Sequence, residues 1–277
     1  MRRVIFMSIM SSLKAVLLLG ILTAIFLGIG YIFGGIFGAT IGLVIAFIMN
    51  FVSFWYSDRI VLWMYRAKRY DNRKIQNMVK KLAERAKIPT PQLYIIQMDV
   101  PNAFATGRGP GHSAVAVTKS LVDKLDDDEI EGVLAHEINH IKHRDTLIST
   151  MAATIGGAIT WLAYLFWFGG DQEGRNVVSY LLLFILAPLA ALLIRLAISR
   201  NREYFADRGG AEISSPSGLA SALQKIADAV KQKPAREGSN ATAHMFIVNP
   251  FTGKAFINLF STHPPVEERI KRLREME

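Results

Sequence analysis

Of the six histidines in the chain, two bracket a glutamate in the run His136-Glu137-Ile138-Asn139-His140. On a helix, residues four apart share a face and stand about 6 Å apart along the axis, so both imidazoles can reach one ion. This is the H-E-x-x-H arrangement, in which two histidines bind zinc and the glutamate serves as general base. The bland alternative is a pair of helix-surface histidines beside an incidental acid. Against it, Glu137 falls within the apolar stripe of Ile130, Leu134 and Ile141. A carboxylate facing a dry core without a partner is costly there, whereas beside a metal it points usefully into a cleft. The 277 residues include no cysteine, which excludes thiolate ligands, disulfides and cysteine nucleophiles. Any metal must use histidine and carboxylate donors.

A catalytic zinc takes three protein ligands and leaves the fourth position to water. The extended pattern with glycine three residues and histidine six residues after the second His fails, because those positions hold His143 and Thr146. His143 stands about 10 Å along the helix from His136 and is flanked by Lys142 and Arg144, which suits a solvated basic flank. A downstream carboxylate is therefore favoured. The best candidate is Glu203 in Asn201-Arg202-Glu203-Tyr204-Phe205-Ala206-Asp207, with Asp207 on the same helical face at i+4. Glu203 would bind the metal, and Asp207 would orient a ligand through its outer ring nitrogen. Spacing alone leaves an exposed charged helix equally open.

These residues need elements to hold them. Asp126 followed three positions later by Glu129 is a capping pair, so a helix should start there and run from Ile130 through Lys142. Residues 74–87 have the period of an amphipathic helix, while Leu93–Ile96 and Ala114–Val117 read as short strands. Pro101 to Gly111 reads as the glycine-rich connection between those strands. The expected fold is mainly α with a small β-sheet.

Apolar residues make up 51% of the chain and charged residues 20%, a balance that implies one part in a membrane and one in water. Between Lys14 and Asp58 no charged residue occurs over about 43 positions, enough for two helical spans. The break should fall near Gly34–Gly38, and the stretch is too long for a cleaved signal peptide. A second uncharged pair, Thr146 to Gly170 and Asn176 to Ile194, suggests two more spans, although a buried helix pair in a soluble domain would read similarly. Arg2, Arg3, Arg59, Arg66, Lys68, Arg69, Arg73, Lys74, Lys142 and Arg144 all border these runs on one side. The positive-inside rule then places both termini and the segment from about 58 to 145 in the cytoplasm. The net charge of +9 lies beside the apolar runs, so anionic lipid is the better partner and no nucleic acid is expected. The organisation follows: a transmembrane hairpin over 1–57, the first part of a catalytic domain with the H-E-x-x-H helix over 58–145, a second hydrophobic hairpin over 146–198, and the rest of the domain over 199–277.

With these motifs in view, the chain resembles the HtpX family of membrane-integral metalloproteases, which are related to the prenyl-protein (CaaX) endopeptidases. The resemblance runs through the amino-terminal hairpin, Pro101-Asn102-Ala103-Phe104-Ala105-Thr106-Gly107, the segment from Glu131 to Ile141, the Glu203 to Asp207 element and Ser261-Thr262-His263-Pro264-Pro265. It implies a zincin-like catalytic domain of the gluzincin type carrying one zinc ion on His136, His140 and Glu203. It further implies a substrate-backbone contact at Asn102, a polar group facing the reacting carbonyl at His263, and a site arginine at Arg269 that pairs with Asp207. The activity implied is zinc-dependent cleavage of damaged or misfolded membrane proteins at the cytoplasmic face of the cell membrane, a stress-response role. Two alternatives stand beside it: a CaaX-type processing enzyme, and a non-hydrolytic membrane adaptor with structural zinc. An intact Glu137 argues against the adaptor, since a structural site has no need of a general base.

Overall fold

A computed structural model describes residues 2–155, 200–233, 245–248 and 264–277. The chain opens with α1 (Arg2–Met64), two helices joined where Gly34 and Gly35 leave helical geometry, Gly35 at φ 57° and ψ −141°. A residue with no Cβ takes this conformation at little cost, and the break falls where the glycines led us to expect it. The two arms, Leu13–Ile32 and Gly34–Met64, are each long and apolar enough to cross a bilayer. They meet as an antiparallel pair through glycine: a Cβ on Gly30 would collide with the Gly38 carbonyl, and one on Gly42 with that of Phe26. Small residues that let backbones touch are a common packing device between helices in lipid. Asn50 Nδ2 donates to Thr23 Oγ1 across the pair at 2.9 Å. Ile32, Ile36, Phe37 and Phe47 stay exposed on the outer faces.

Beyond the hairpin comes a four-stranded mixed sheet. Its strands are β1 (Lys68–Arg69), β2 (Gln92–Ile96), β3 (Ala103–Gly109) and β4 (His112–Thr118), in spatial order β1-β2-β4-β3. β2 runs parallel to β4, and β3 returns antiparallel to it with Ala105 opposite Val115. Residues 101–111 are thus more than a connection, since most of them form the outer strand. Ala-Phe-Ala-Thr-Gly-Arg-Gly carries little β-branched character, and its strand conformation comes from pairing with β4 and from burial.

The helices are α2 (Arg73–Ala86), α3 (Lys119–Lys124), α4 (Asp127–Lys142), α5 (Arg200–Ile213), α6 (Pro216–Gln232) and α7 (Val266–Arg274). Asn72 caps α2 by accepting from the N–H groups of Lys74 and Ile75. At the start of α4, Glu129 accepts from the Asp126 N–H at 2.8 Å. Glu129 also accepts from Ser221 Oγ and Lys225 Nζ, fastening the helix to α6.

α4 lies at the centre, with the sheet on one side and α2, α5 and α6 around the others. It is therefore buried nearly all round, from Gly132 through Asn139 without a break. Two crossings depend on glycine. A Cβ on Gly132 would stand 2.7 Å from Leu219 N on α6, and one on Gly210 of α5 would stand 3.0 Å from His136 N. The second contact lets the helix carrying Glu203 lie directly on the helix carrying the histidines. After α4 the chain turns at Arg144 (φ 59°) and resumes as helix over 145–155. There Ile148 and Ala152 pack on Leu18 and Leu22 of the first arm. The rest of the expected third span and all of the fourth lie outside the described residues.

Candidate metal centre

Three side chains converge between α4 and α5. His136 Nε2 and His140 Nε2 stand 3.1 Å apart, Glu203 Oε2 is 3.7 Å from the first and Glu203 Oε1 is 3.5 Å from the second. One donor atom from each lies within 4.8 Å of the others. Two imidazoles and one carboxylate are a donor set that suits a divalent metal of the zinc type. Histidines spaced by four supply two corners from one helix, and Gly210 brings the third within reach by removing a side chain from the interface.

Behind each histidine stands a carboxylate backed by an arginine. His136 Nδ1 is 2.9 Å from Asp207 Oδ1, and Arg269 grips Asp207 with two bonds, Nε to Oδ2 at 2.8 Å and Nη2 to Oδ1 at 2.7 Å. His140 Nδ1 is 3.3 Å from Asp145 Oδ2, whose other oxygen lies 2.7 Å from Arg202 Nη1. Asp145 and Arg202 were not singled out from the sequence. Asp145 stands five residues after His140, more than one helical turn, and only the turn at Arg144 brings it back.

The remaining positions fall as follows. Glu137 is buried beside the histidines and accepts from the Ala105 N–H of β3 at 2.8 Å. Asn102, at the entrance to β3, is also buried; its amide donates to Met245 O at 3.2 Å and accepts from Ile247 N at 2.9 Å. His263 lies outside the described residues. Asn139, a side chain the motif leaves unspecified, donates to Ala135 O and packs on Gly209.

The charges explain the protonation states. Burial pushes the Glu137 carboxyl above its ordinary value, although the neighbouring imidazoles pull the other way. Burial also opposes the His140 imidazolium, but Glu203, Asp145 and Glu137 outweigh it and raise that group to about 9. For Asp207, burial acts against the carboxylate and the Arg269 guanidinium overrides it, holding the group well below the usual range. Four buried carboxylates, Glu137, Asp145, Glu203 and Asp207, face two buried guanidiniums, Arg202 and Arg269. Counted as side-chain types, the carboxylates outnumber the guanidiniums by two, a balance that suits a divalent cation.

The sequence profile of Peptidase family M48 matches residues 69–277, the whole chain after the hairpin. Relatives named Protease HtpX homolog include one from Thermococcus kodakarensis, 51% identical and covering 98% of this chain and 97% of the relative. Another from Pyrococcus furiosus is 52% identical with 94% of each covered. A third, from Persephonella marina, is 51% identical and covers 96% of this chain and 98% of its own. The crystal structure of S. mikatae Ste24p is similar in fold, with a TM-score of 0.53 and 19% identity over 99% of this chain and 67% of that one.

Proposed function

Because the chain belongs to peptidase family M48 and is a metalloprotease, we propose that it is a zinc-dependent endopeptidase of the cell membrane. In this reading it cuts damaged or misfolded membrane proteins from the cytoplasmic side. The observation that carries the proposal is the convergence of His136, His140 and Glu203 around one point, with Glu137 on the same helix.

His136, His140 and Glu203 hold the metal, and zinc, when bound, polarises the scissile carbonyl and acidifies water. Glu137 accepts a proton from the attacking water and passes it to the departing amine nitrogen. Asp207, held by Arg269, keeps the His136 ring in place. The outward edge of β3 faces the proposed centre, since the Ala105 N–H points away from β4 towards Glu137. An extended peptide can add to that edge as a further strand. For Asn102 to grip its backbone, the bonds to Met245 and Ile247 must be exchanged for a carbonyl and an N–H of the peptide. His263, outside the described residues, is proposed as a further polar group for the reacting carbonyl.

The membrane setting rests on the two arms of α1, and the orientation on Arg66, Lys68, Arg69, Arg73 and Lys74, all exposed just after the second arm. The proposed catalytic domain is assembled from both sides of 146–198, with α4 packed on α5 and α6.

The test is hydrolysis of an unfolded protein by the detergent-purified, zinc-loaded chain beside its Glu137→Gln variant, with metal content measured in both. Zinc in both and cleavage only by the parent supports the proposal. Zinc in both with cleavage by neither defeats the quality-control reading, and turnover of a lipidated peptide under the same conditions would replace it with the CaaX-type one.

A further inference from the structure

We infer that Asp145 and Arg202 are positioning residues for the metal centre, holding His140 as Asp207 and Arg269 hold His136. The inference rests on the proposed metal role of His136, His140 and Glu203, and concerns two residues outside that set.

An imidazole ligates through one nitrogen only if its proton sits on the other. His140 turns Nε2 towards His136 and Glu203 and turns Nδ1 towards Asp145 Oδ2, 3.3 Å away. A carboxylate at Nδ1 keeps the proton there, leaves the Nε2 lone pair facing the site, and limits rotation of the ring. Asp145 is 5% exposed and Arg202 9%, so neither has bulk water around its charge, and the 2.7 Å ion pair between them sets the two opposite charges side by side. Arg202 directly precedes Glu203. The pair therefore ties the helix bearing the third ligand to the residue that orients the second.

The two braces have different anchors. Arg269 comes from α7, at the carboxyl-terminal end of the soluble part. Asp145 opens the helical segment 145–155, which packs on the first membrane arm through Ile148 and Ala152. His140 is thus held from the membrane side and His136 from the soluble side. An ion pair that merely joined two helix ends would stabilise the fold and leave metal affinity unchanged, which separates the two roles.

The experiment uses the full chain in lipid nanodiscs. Zinc affinity is read by competition with a chromophoric chelator, and ligand geometry by the visible absorption of the Co(II) form. Asp145→Ala is expected to weaken zinc binding about 10–100-fold and to alter the Co(II) spectrum. Asp145→Asn and Arg202→Gln should show smaller losses, and Asp145→Ala combined with Arg202→Gln should be no worse than Asp145→Ala alone. Parental affinity and spectrum in folded Asp145→Ala overturn the inference. If that variant does not fold, parental values in Asp145→Asn and Arg202→Gln overturn it equally. His140→Ala marks the other failure: if it binds zinc as tightly as the parent, the ligand set itself is wrong and the positioning role falls with it.

Discussion

At the scale of single residues, the centre is a set of buried charges in which carboxylates outnumber guanidiniums. Glu137→Gln should keep the metal and lower kcat by 10²-fold or more, the loss expected when a general acid–base group goes, as measured by steady-state proteolysis with metal analysis. The pH dependence follows from His140. Its pKa in the fold, about 9, lies above the ordinary 6.5. In the metal-free chain its imidazolium therefore contributes stability that is full below about 6.5 and is lost as pH rises through about 9. Zinc needs the neutral ring, so zinc affinity should rise across the same window. Chelator titrations giving a flat profile between those limits would contradict this. Asp207→Asn strands the buried Arg269 charge, and breaking such a pair costs about 3–5 kcal/mol. Thermal unfolding should show that loss, with partial recovery when Arg269→Met removes the stranded charge.

Among the elements, glycine decides how closely α4 can be approached. A methyl group at position 132 would press on Leu219 N, which is backbone and has little room to give. Gly132→Ala should therefore cost about 1–3 kcal/mol, the usual range for overpacking. Gly20→Ala, where a Cβ meets nothing within 4 Å, should cost nothing measurable by the same unfolding assay. The start of α4 was legible because its signal is local: Glu129, three residues after Asp126, bonds back to the Asp126 N–H. β3 was not, because its conformation depends on β4, which comes later in the chain, and on the helix packed against it.

For the molecule as a whole, the proposal sets two surfaces on opposite sides of a bilayer. The absence of native cysteine makes this directly testable, since a single introduced thiol is the only reactive one. Ile36→Cys, at the exposed end of the hairpin, should react with an impermeant maleimide added to intact cells. Asp71→Cys, beyond the second arm, should react only after the cells are broken. The reverse pattern would put the metal centre outside.

The sequence by itself determined what repeats or acts over short range. Residues four apart on one helix present two imidazoles together whatever surrounds them, and a long apolar run without charge keeps that character in any fold. Glu203 and Asp207 were singled out by their i+4 spacing and supported by the family resemblance, whereas Arg269 came from the resemblance alone. What only the tertiary structure decided is the contact between distant segments. Gly210 lying on His136, Arg269 gripping Asp207 across 62 positions and Asp145 turned back onto His140 all depend on how α4, α5 and α7 cross. A crossing is set by the fit of many side chains at once, so no local pattern encodes it.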